Sequence, residues 1–149
     1  MTTIQDLIDK IPNEAINEIK DDLVELYKLE TFTKQLYLAQ LRKFDGTIIT
    51  TLQYLSQQEE MHANTMKTLL GKINYPIEDE HDLLNQTKKR LPLIEALSVD
   101  IKQEEIAQVD YETAIKHSTN NELKKLLTLL LEQEYERLRR LNDFVEENK

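Results

Sequence analysis

Two helical stripes of apolar residues are each interrupted by a charged pair, and this pattern constrains the fold more than any other feature of the chain. The first stripe contains Glu59 and His62, and the second contains Glu134 and Arg137. Residues three apart share one face of a helix, so each pair lies on the face of its stripe. A carboxylate on a buried face is costly unless a cation lies opposite. The apolar members are Ile48, Leu52, Leu55, Met66 and Leu69 in the first stripe, and Leu123, Leu127, Leu130, Leu141 and Phe144 in the second.

Composition indicates an all-α protein and excludes several kinds of partner. The 149 residues include only two glycines and three prolines, and 32% of them are charged. This usage is typical of helices. A formal net charge of −9 argues against binding to nucleic acid or to an anionic membrane surface. The chain has no cysteine, which excludes disulfides, iron–sulfur clusters and rubredoxin-type centres. No apolar run has the ~18–20 residues of a membrane span and no signal peptide is visible, so we expect a cytoplasmic protein.

The order of helix and turn signals predicts a four-helix bundle with one long crossover, in a single domain spanning residues 1–149. We expect a short N-terminal helix within residues 1–12, capped by Thr2 or Thr3, and then helices at about 13–44, 47–70, 93–117 and 121–147. Asn13 is the predicted cap of the second helix, and Gly71 is the predicted end of the third. The turns at 45–47 and 118–121 are short, so each joins antiparallel neighbours. Residues 72–90 are long enough to cross the whole bundle.

The two halves of the chain carry the same arrangement of acidic residues. Glu30 precedes Glu59 by 29 residues, and Glu104 precedes Glu134 by 30. Glu30 and Glu104 are also each followed by a tyrosine seven residues later, Tyr37 and Tyr111. Glu105 competes with Glu104, and Glu132 and Glu136 compete with Glu134, but the apolar stripes favour the members of the matched set. Each half therefore supplies one glutamate on one helix and a Glu-x-x-His or Glu-x-x-Arg pair on the next. The Glu-x-x-His spacing is a metal-ligand spacing on bundle helices.

These segments resemble the carboxylate-bridged di-iron proteins of the ferritin-like superfamily, which includes ferritins, bacterioferritins and rubrerythrins. The closest likeness is in residues 29–32 with 37–38 and in residues 58–63. The resemblance implies that Glu30 and His62 bind a first metal and that Glu59 and Glu134 bridge two metals. It implies that Glu104 binds the second metal, whose histidine is replaced by Arg137. Tyr37 and Tyr111 would support the ligands by hydrogen bonds. Met61 is not at the spacing of the haem-binding methionine of bacterioferritins, so we do not predict haem.

Arginine cannot replace histidine as a ligand, because a guanidinium keeps its proton and offers no lone pair. Three arrangements follow. Two metals bind, with Arg137 turned outward or placed beside the ligands. Alternatively, only the half with Glu30, Glu59, His62 and Glu134 keeps a metal, and Arg137 supplies part of the missing positive charge. In the third arrangement no metal binds, and pairs between arginine and glutamate replace it.

The resemblance implies a metal-dependent oxidase that oxidises Fe(II) with oxygen or peroxide, or removes peroxide as a rubrerythrin does. Carboxylates with one imidazole suit iron, manganese or another divalent metal, with one or two ions. The alternative is a metal-free ferritin-like bundle that binds a partner or assembles with itself, for example as a dimer. The N-terminal helix either packs on its own bundle or docks on a neighbouring subunit. Storage in a hollow cage is a third option, which the lack of a fifth long helix disfavours.

Overall fold

The computed structural model describes residues 3–77 and 92–148, and this part of the chain forms helices and turns without any strand. The helices are α1 (Ile4–Asp9), α2 (Asn13–Glu18), α3 (Lys20–Lys43), α4 (Ile48–Lys72), α5 (Leu93–His117) and α6 (Asn121–Glu147). The predicted all-α, ferritin-like bundle is confirmed. The last two helices have the bounds that the sequence predicted, and Asn120 caps α6 by accepting a hydrogen bond from the Leu123 N–H at 2.8 Å.

The directions of the four long helices follow from pairs of residues that meet across them. Between α3 and α5, Tyr37 contacts Glu104 and Gln40 contacts Asp100, so these helices are antiparallel. The short turn after Lys43 makes α3 and α4 antiparallel as well. Helices α4 and α5 therefore run in the same direction. Residues 78–91, most of the predicted crossover, lie outside the described part of the chain.

Three details of the predicted helices were wrong. The predicted helix at 13–44 is broken at Ile19, whose φ of −120° and ψ of 29° separate α2 from α3, and Asp21 and Asp22 then favour a new helix start. Asn13 is the first residue of α2 rather than its cap, a position taken by Pro12. Helix α4 continues through Gly71, and Asn74 supplies the left-handed residue at φ 55°. Asparagine tolerates this conformation because its short side chain bonds locally.

The N-terminal helix packs on its own bundle. Thr3 caps it in a reciprocal capping box with Asp6, one of the two caps predicted. Leu7, Ile8 and Ile11 are buried with residues of α4 and α6. Lys72, at the end of α4, donates hydrogen bonds to the carbonyls of Ile8 at 2.8 Å and Ile11 at 2.6 Å. The Ile8 carbonyl also accepts a hydrogen bond from the Ile11 N–H at 3.1 Å. Lys72 therefore ties the end of α1 to the end of α4.

We expect Lys72→Met to lower the free energy of unfolding by about 1.5–3 kcal/mol, the range for hydrogen bonds to charged groups. Methionine keeps most of the apolar stem and removes only the ammonium group. Urea unfolding followed by circular dichroism measures the change. Lys67→Met, an exposed substitution on the same helix, is the control. Equal stability of the two variants would contradict a structural role for Lys72.

Two apolar clusters occupy opposite ends of the bundle, and the polar residues of the duplicated arrangement lie between them. One cluster joins α1 and α2 to neighbouring ends of the long helices, including Leu23, Met66 and Leu127. The other contains Tyr37, Leu52 and Leu141 among others. This layering places mid-helix side chains in an interior closed at both ends. Within the described ranges, every helix is too short or too polar to span a bilayer.

Candidate metal centre

Each of the four long helices places one glutamate in the centre of the bundle. Glu30, Glu59, Glu104 and Glu134 are all 0% exposed. His62 and Arg137 are equally inaccessible. By contrast, the competing residues Glu105 and Glu132 are exposed, and Glu136 is partly exposed. The leucine stripes explain this selection, because only the glutamates in phase with them turn inward.

His62 directs one ring nitrogen at the carboxylates and the other at an amide. Its Nδ1 lies 3.0 Å from Glu30 Oε2 and 3.0 Å from Glu134 Oε1. Its Nε2 lies 2.6 Å from Gln133 Oε1. We assign the ring proton to Nε2, since the amide oxygen can only accept. Nδ1 then carries the lone pair, and a histidine whose second nitrogen donates to a neighbour is the usual form of a metal ligand.

Arg137 points into the centre and is the largest fully buried side chain among the described residues. Its Nη1 donates to Glu59 Oε1, and its Nη2 donates to Glu134 Oε1 at 2.7 Å. Nη2 also contacts His62 Nδ1 and lies 3.9 Å from Glu30 Oε2. The guanidinium thus pairs with the two carboxylates that the resemblance makes bridging ligands. The outward orientation allowed in the first of the three arrangements is not the one observed.

The carboxyl oxygens retain capacity for a further cation. Both oxygens of Glu30 and the Oε2 atoms of Glu59, Glu104 and Glu134 receive no hydrogen bond from the described residues. Buried oxygens are nearly always partnered, so such a concentration requires an explanation. Two overlapping groups place their ligand atoms within 4.8 Å of one another, namely Glu30, His62 and Glu134, and Glu59, Glu104 and Glu134. Both the donor types and the spacing fit a divalent metal.

The pKa shifts show that the centre holds more negative charge than Arg137 neutralises. Burial, followed by the charges of Glu104 and Glu30, raises the pKa of Glu59 well above its usual range. Burial and the neighbouring glutamates do the same to the pKa of Glu134. For Glu30, burial raises the pKa, but it is outweighed by the hydrogen bond and charge that His62 provides when both ring nitrogens carry protons, together with the charge of Arg137, so the pKa of Glu30 is lowered. The centre therefore favours any species that adds positive charge, whether a proton or a metal ion.

Both tyrosines of the duplicated arrangement lie at the centre, where their hydroxyls contact different partners. The Tyr37 hydroxyl donates to Glu104 Oε1 at 2.6 Å. The Tyr111 hydroxyl lies 3.3 Å from His62 Nδ1, and its ring meets the imidazole edge to face. Burial, followed by the charge of Glu104 for Tyr37 and of Glu30 for Tyr111, raises the pKa of both hydroxyls well above 10.0. Both groups therefore keep their protons and remain donors.

Three neighbouring residues were not predicted from the sequence. Asp100 is 0% exposed and accepts a hydrogen bond from Gln40 Nε2 at 2.8 Å, and Gln133 contacts His62 as described above. Helical spacing contained the signal for the first pair, because Asp100 lies four residues before Glu104 and Gln40 three after Tyr37.

Comparison with known proteins adds one finding. A model of the rubrerythrin family matches residues 21–144, a range that includes nearly all of the four long helices and every residue of the centre. No curated protein and no solved structure matches the chain significantly. The matched range and the buried set of glutamates and histidine agree with the ferritin-like resemblance found in the sequence. This chain therefore belongs to the rubrerythrin family.

Proposed function

We propose that this protein is a metal-dependent oxidoreductase that binds divalent iron at Glu30, His62 and Glu134 and uses it to reduce peroxide. The observation that carries the proposal is the unfilled coordinating capacity of the centre, where buried glutamate oxygens without donors lie beside an imidazole lone pair. Membership of the rubrerythrin family supports iron as the metal and peroxide or oxygen as the oxidant. Manganese suits the same ligands.

The residues of the centre would have different roles in such a reaction. His62 offers the Nδ1 lone pair, and the hydrogen bond from Nε2–H to Gln133 holds the ring in place. Glu30 and Glu134 offer negative charge and hard oxygen donors. The apolar clusters at both ends of the bundle limit the entry of water. Oxidation of one bound Fe(II) to Fe(III) would supply one electron. Conversion of one peroxide molecule and two protons to two waters consumes two electrons, so it would oxidise two Fe(II) ions, one in each of two chains or two bound in succession by one chain.

Metal titration of the chelator-treated protein under anaerobic conditions tests binding directly. We expect Fe(II) or Mn(II) to bind with a measurable heat and to co-elute with the protein in elemental analysis. Glu30→Gln, or His62→Leu, should weaken binding about 10–100-fold or more, by loss of a ligand. Glu60→Gln changes the exposed neighbour of Glu59 and is the control. If neither metal binds at any stoichiometry, the proposal is wrong.

Activity is tested on the same preparations. We expect the Fe(II)-loaded protein to consume hydrogen peroxide faster than free Fe(II) at the same concentration, with the increase lost in Glu30→Gln. Formation of Fe(III) is followed by absorbance and peroxide by an electrode. If metal binds but peroxide and oxygen are consumed no faster than by free iron, the protein binds metal without this activity.

The metal-free bundle is the second candidate, and one observation favours it. Arg137 already pairs with Glu59 and Glu134, as expected if arginine replaces the metals completely. That arrangement provides no donor for Glu30 Oε1 or for the remaining oxygens of the other three glutamates. The titration described above separates the two candidates, because only the metal-free bundle predicts no binding.

A further inference from the structure

We propose that Arg137 permanently occupies the place of a second metal, so that the centre holds a single divalent ion on the side of His62. This inference rests on the proposed metal-binding function and specifies its stoichiometry and position. It concerns this chain in particular, because it follows from an arginine at the position where the duplicated arrangement would place a second histidine.

The side of Glu104 is the group of three carboxylates formed by Glu59, Glu104 and Glu134. Each of these carboxylates already receives a hydrogen bond from the protein. Glu59 Oε1 and Glu134 Oε1 receive hydrogen bonds from the two terminal nitrogens of Arg137. Glu104 Oε1 receives a hydrogen bond from the hydroxyl of Tyr37. Every member of this all-carboxylate group therefore has one oxygen engaged. The group also lacks a nitrogen ligand, since Arg137 offers no lone pair.

The side of Glu30 differs in having a nitrogen ligand and in Glu30 itself. It contains the imidazole of His62, and Glu30 Oε1 receives no hydrogen bond from the described residues. Glu134 belongs to both groups, and its Oε2 is also without a donor, whereas its Oε1 is bound by Arg137. Glu30, His62 and Glu134 can therefore bind one ion while the pairing of Arg137 with Glu59 is kept.

One contact must change when the ion binds. Arg137 Nη2 contacts His62 Nδ1, and that lone pair cannot serve both a guanidinium and a metal. The Nη2 group must turn away from His62, whereas Nη1 can remain on Glu59. A second dication between Glu59 and Glu134 would instead have to displace both ends of the guanidinium while Arg137 keeps its charge. Repulsion between buried like charges is large, which restricts the centre to one ion.

Stoichiometry of the unmodified protein is the primary test. The chelator-treated chain is titrated with Mn(II) under argon and analysed by calorimetry, elemental analysis and electron paramagnetic resonance. We expect one Mn(II) per chain with the resolved hyperfine pattern of an isolated ion. Two Mn(II) ions with an exchange-coupled spectrum would overturn this inference and leave the proposed metal-binding function intact. No bound Mn(II) or Fe(II) would overturn both.

Replacing the arginine tests its role directly. We expect Arg137→His to raise the stoichiometry from one ion to two and to produce the exchange-coupled spectrum, because it supplies a second nitrogen ligand and removes a charge. Arg139→His, an exposed substitution on the same helix, should still bind one ion. Circular dichroism establishes that each variant is folded. A folded Arg137→His protein that binds only one ion would contradict the inference.

The position of the ion is tested without altering Arg137. If the ion lies on the side of His62, Glu30→Gln should weaken Mn(II) binding by a larger factor than Glu104→Gln. Both substitutions remove one buried negative charge, so their comparison isolates the loss of a ligand. An equal loss, or a larger loss in Glu104→Gln, would place the ion among the carboxylates of the other group and overturn the assignment.

Discussion

Arg137→Met should lower the free energy of unfolding of the metal-free protein by about 3–5 kcal/mol at neutral pH, the usual cost of removing one partner from a buried ion pair. The guanidinium is the cation that faces Glu59 and Glu134, and methionine fills much of its volume without charge or donors. The glutamates would remain in the interior without compensation, and they must take up protons or unfold the helices around them. Urea unfolding in the presence of a chelator measures the loss.

Two comparisons attribute this loss to charge rather than to packing. Arg139→Met, on the exposed face of α6, should change stability by little because surface ion pairs contribute about 0–1 kcal/mol. Adding Glu59→Gln to Arg137→Met should restore part of the stability, since the double variant buries one charge fewer. If the double variant is as unstable as the sum of both single changes, loss of pairing with Glu59 is not the cause.

The loss of stability in Arg137→Met should depend on pH in one direction. Because Glu59 and Glu134 have raised pKa values, the folded protein binds protons more readily than the unfolded chain at weakly acidic pH. Protonation neutralises the same carboxylates that Arg137 compensates. The deficit of Arg137→Met should therefore be smallest at acidic pH and grow as the pH rises.

Asp100→Asn should stabilise the protein at neutral and alkaline pH. Burial, opposed by the hydrogen bond from Gln40 and reinforced by the charge of Glu104, raises the pKa of Asp100 from 3.8 to about 7. Between these values the folded protein holds a proton that the unfolded chain has lost, so stability falls as the pH rises through this range. The difference between the two pKa values corresponds to a loss of unfolding free energy of roughly 4 kcal/mol at most, at about 1.4 kcal/mol per pKa unit. Asparagine is always neutral, and its Oδ1 can still accept from Gln40.

The measurement is the free energy of unfolding of metal-free protein at a series of pH values from below 3.8 to above 7, the limits set by the two pKa values of Asp100. The original chain should lose more stability across this range than Asp100→Asn. Glu105→Gln, on the exposed face of α5, controls for removal of an acidic residue from that helix. Parallel pH profiles for the original chain and Asp100→Asn would show that Asp100 ionises alike in the folded and unfolded states.

The sequence alone predicted the helical bundle and the four glutamates that lie buried at its centre. Residues in phase with a leucine stripe face the interior, and this local rule selected Glu104 and Glu134 over the neighbours Glu105 and Glu132. Helix ends were less certain, because Ile19 and Gly71 carry weak local signals. The backbone of Ile19 leaves the helical conformation between α2 and α3, and the spacing of apolar residues does not predict such a break.

Only the tertiary structure decided how the buried charges pair. Helical periodicity specifies a face but neither a rotamer nor a partner on another helix, so the sequence left Arg137 free to point inward or outward. The structure turns it inward, onto Glu59 and Glu134. It also brings Asp100 against Gln40 across 60 positions of sequence, a contact that no spacing within one helix predicts. The identity of the central residues is a local property, whereas the distribution of charge among them depends on four helices packing together.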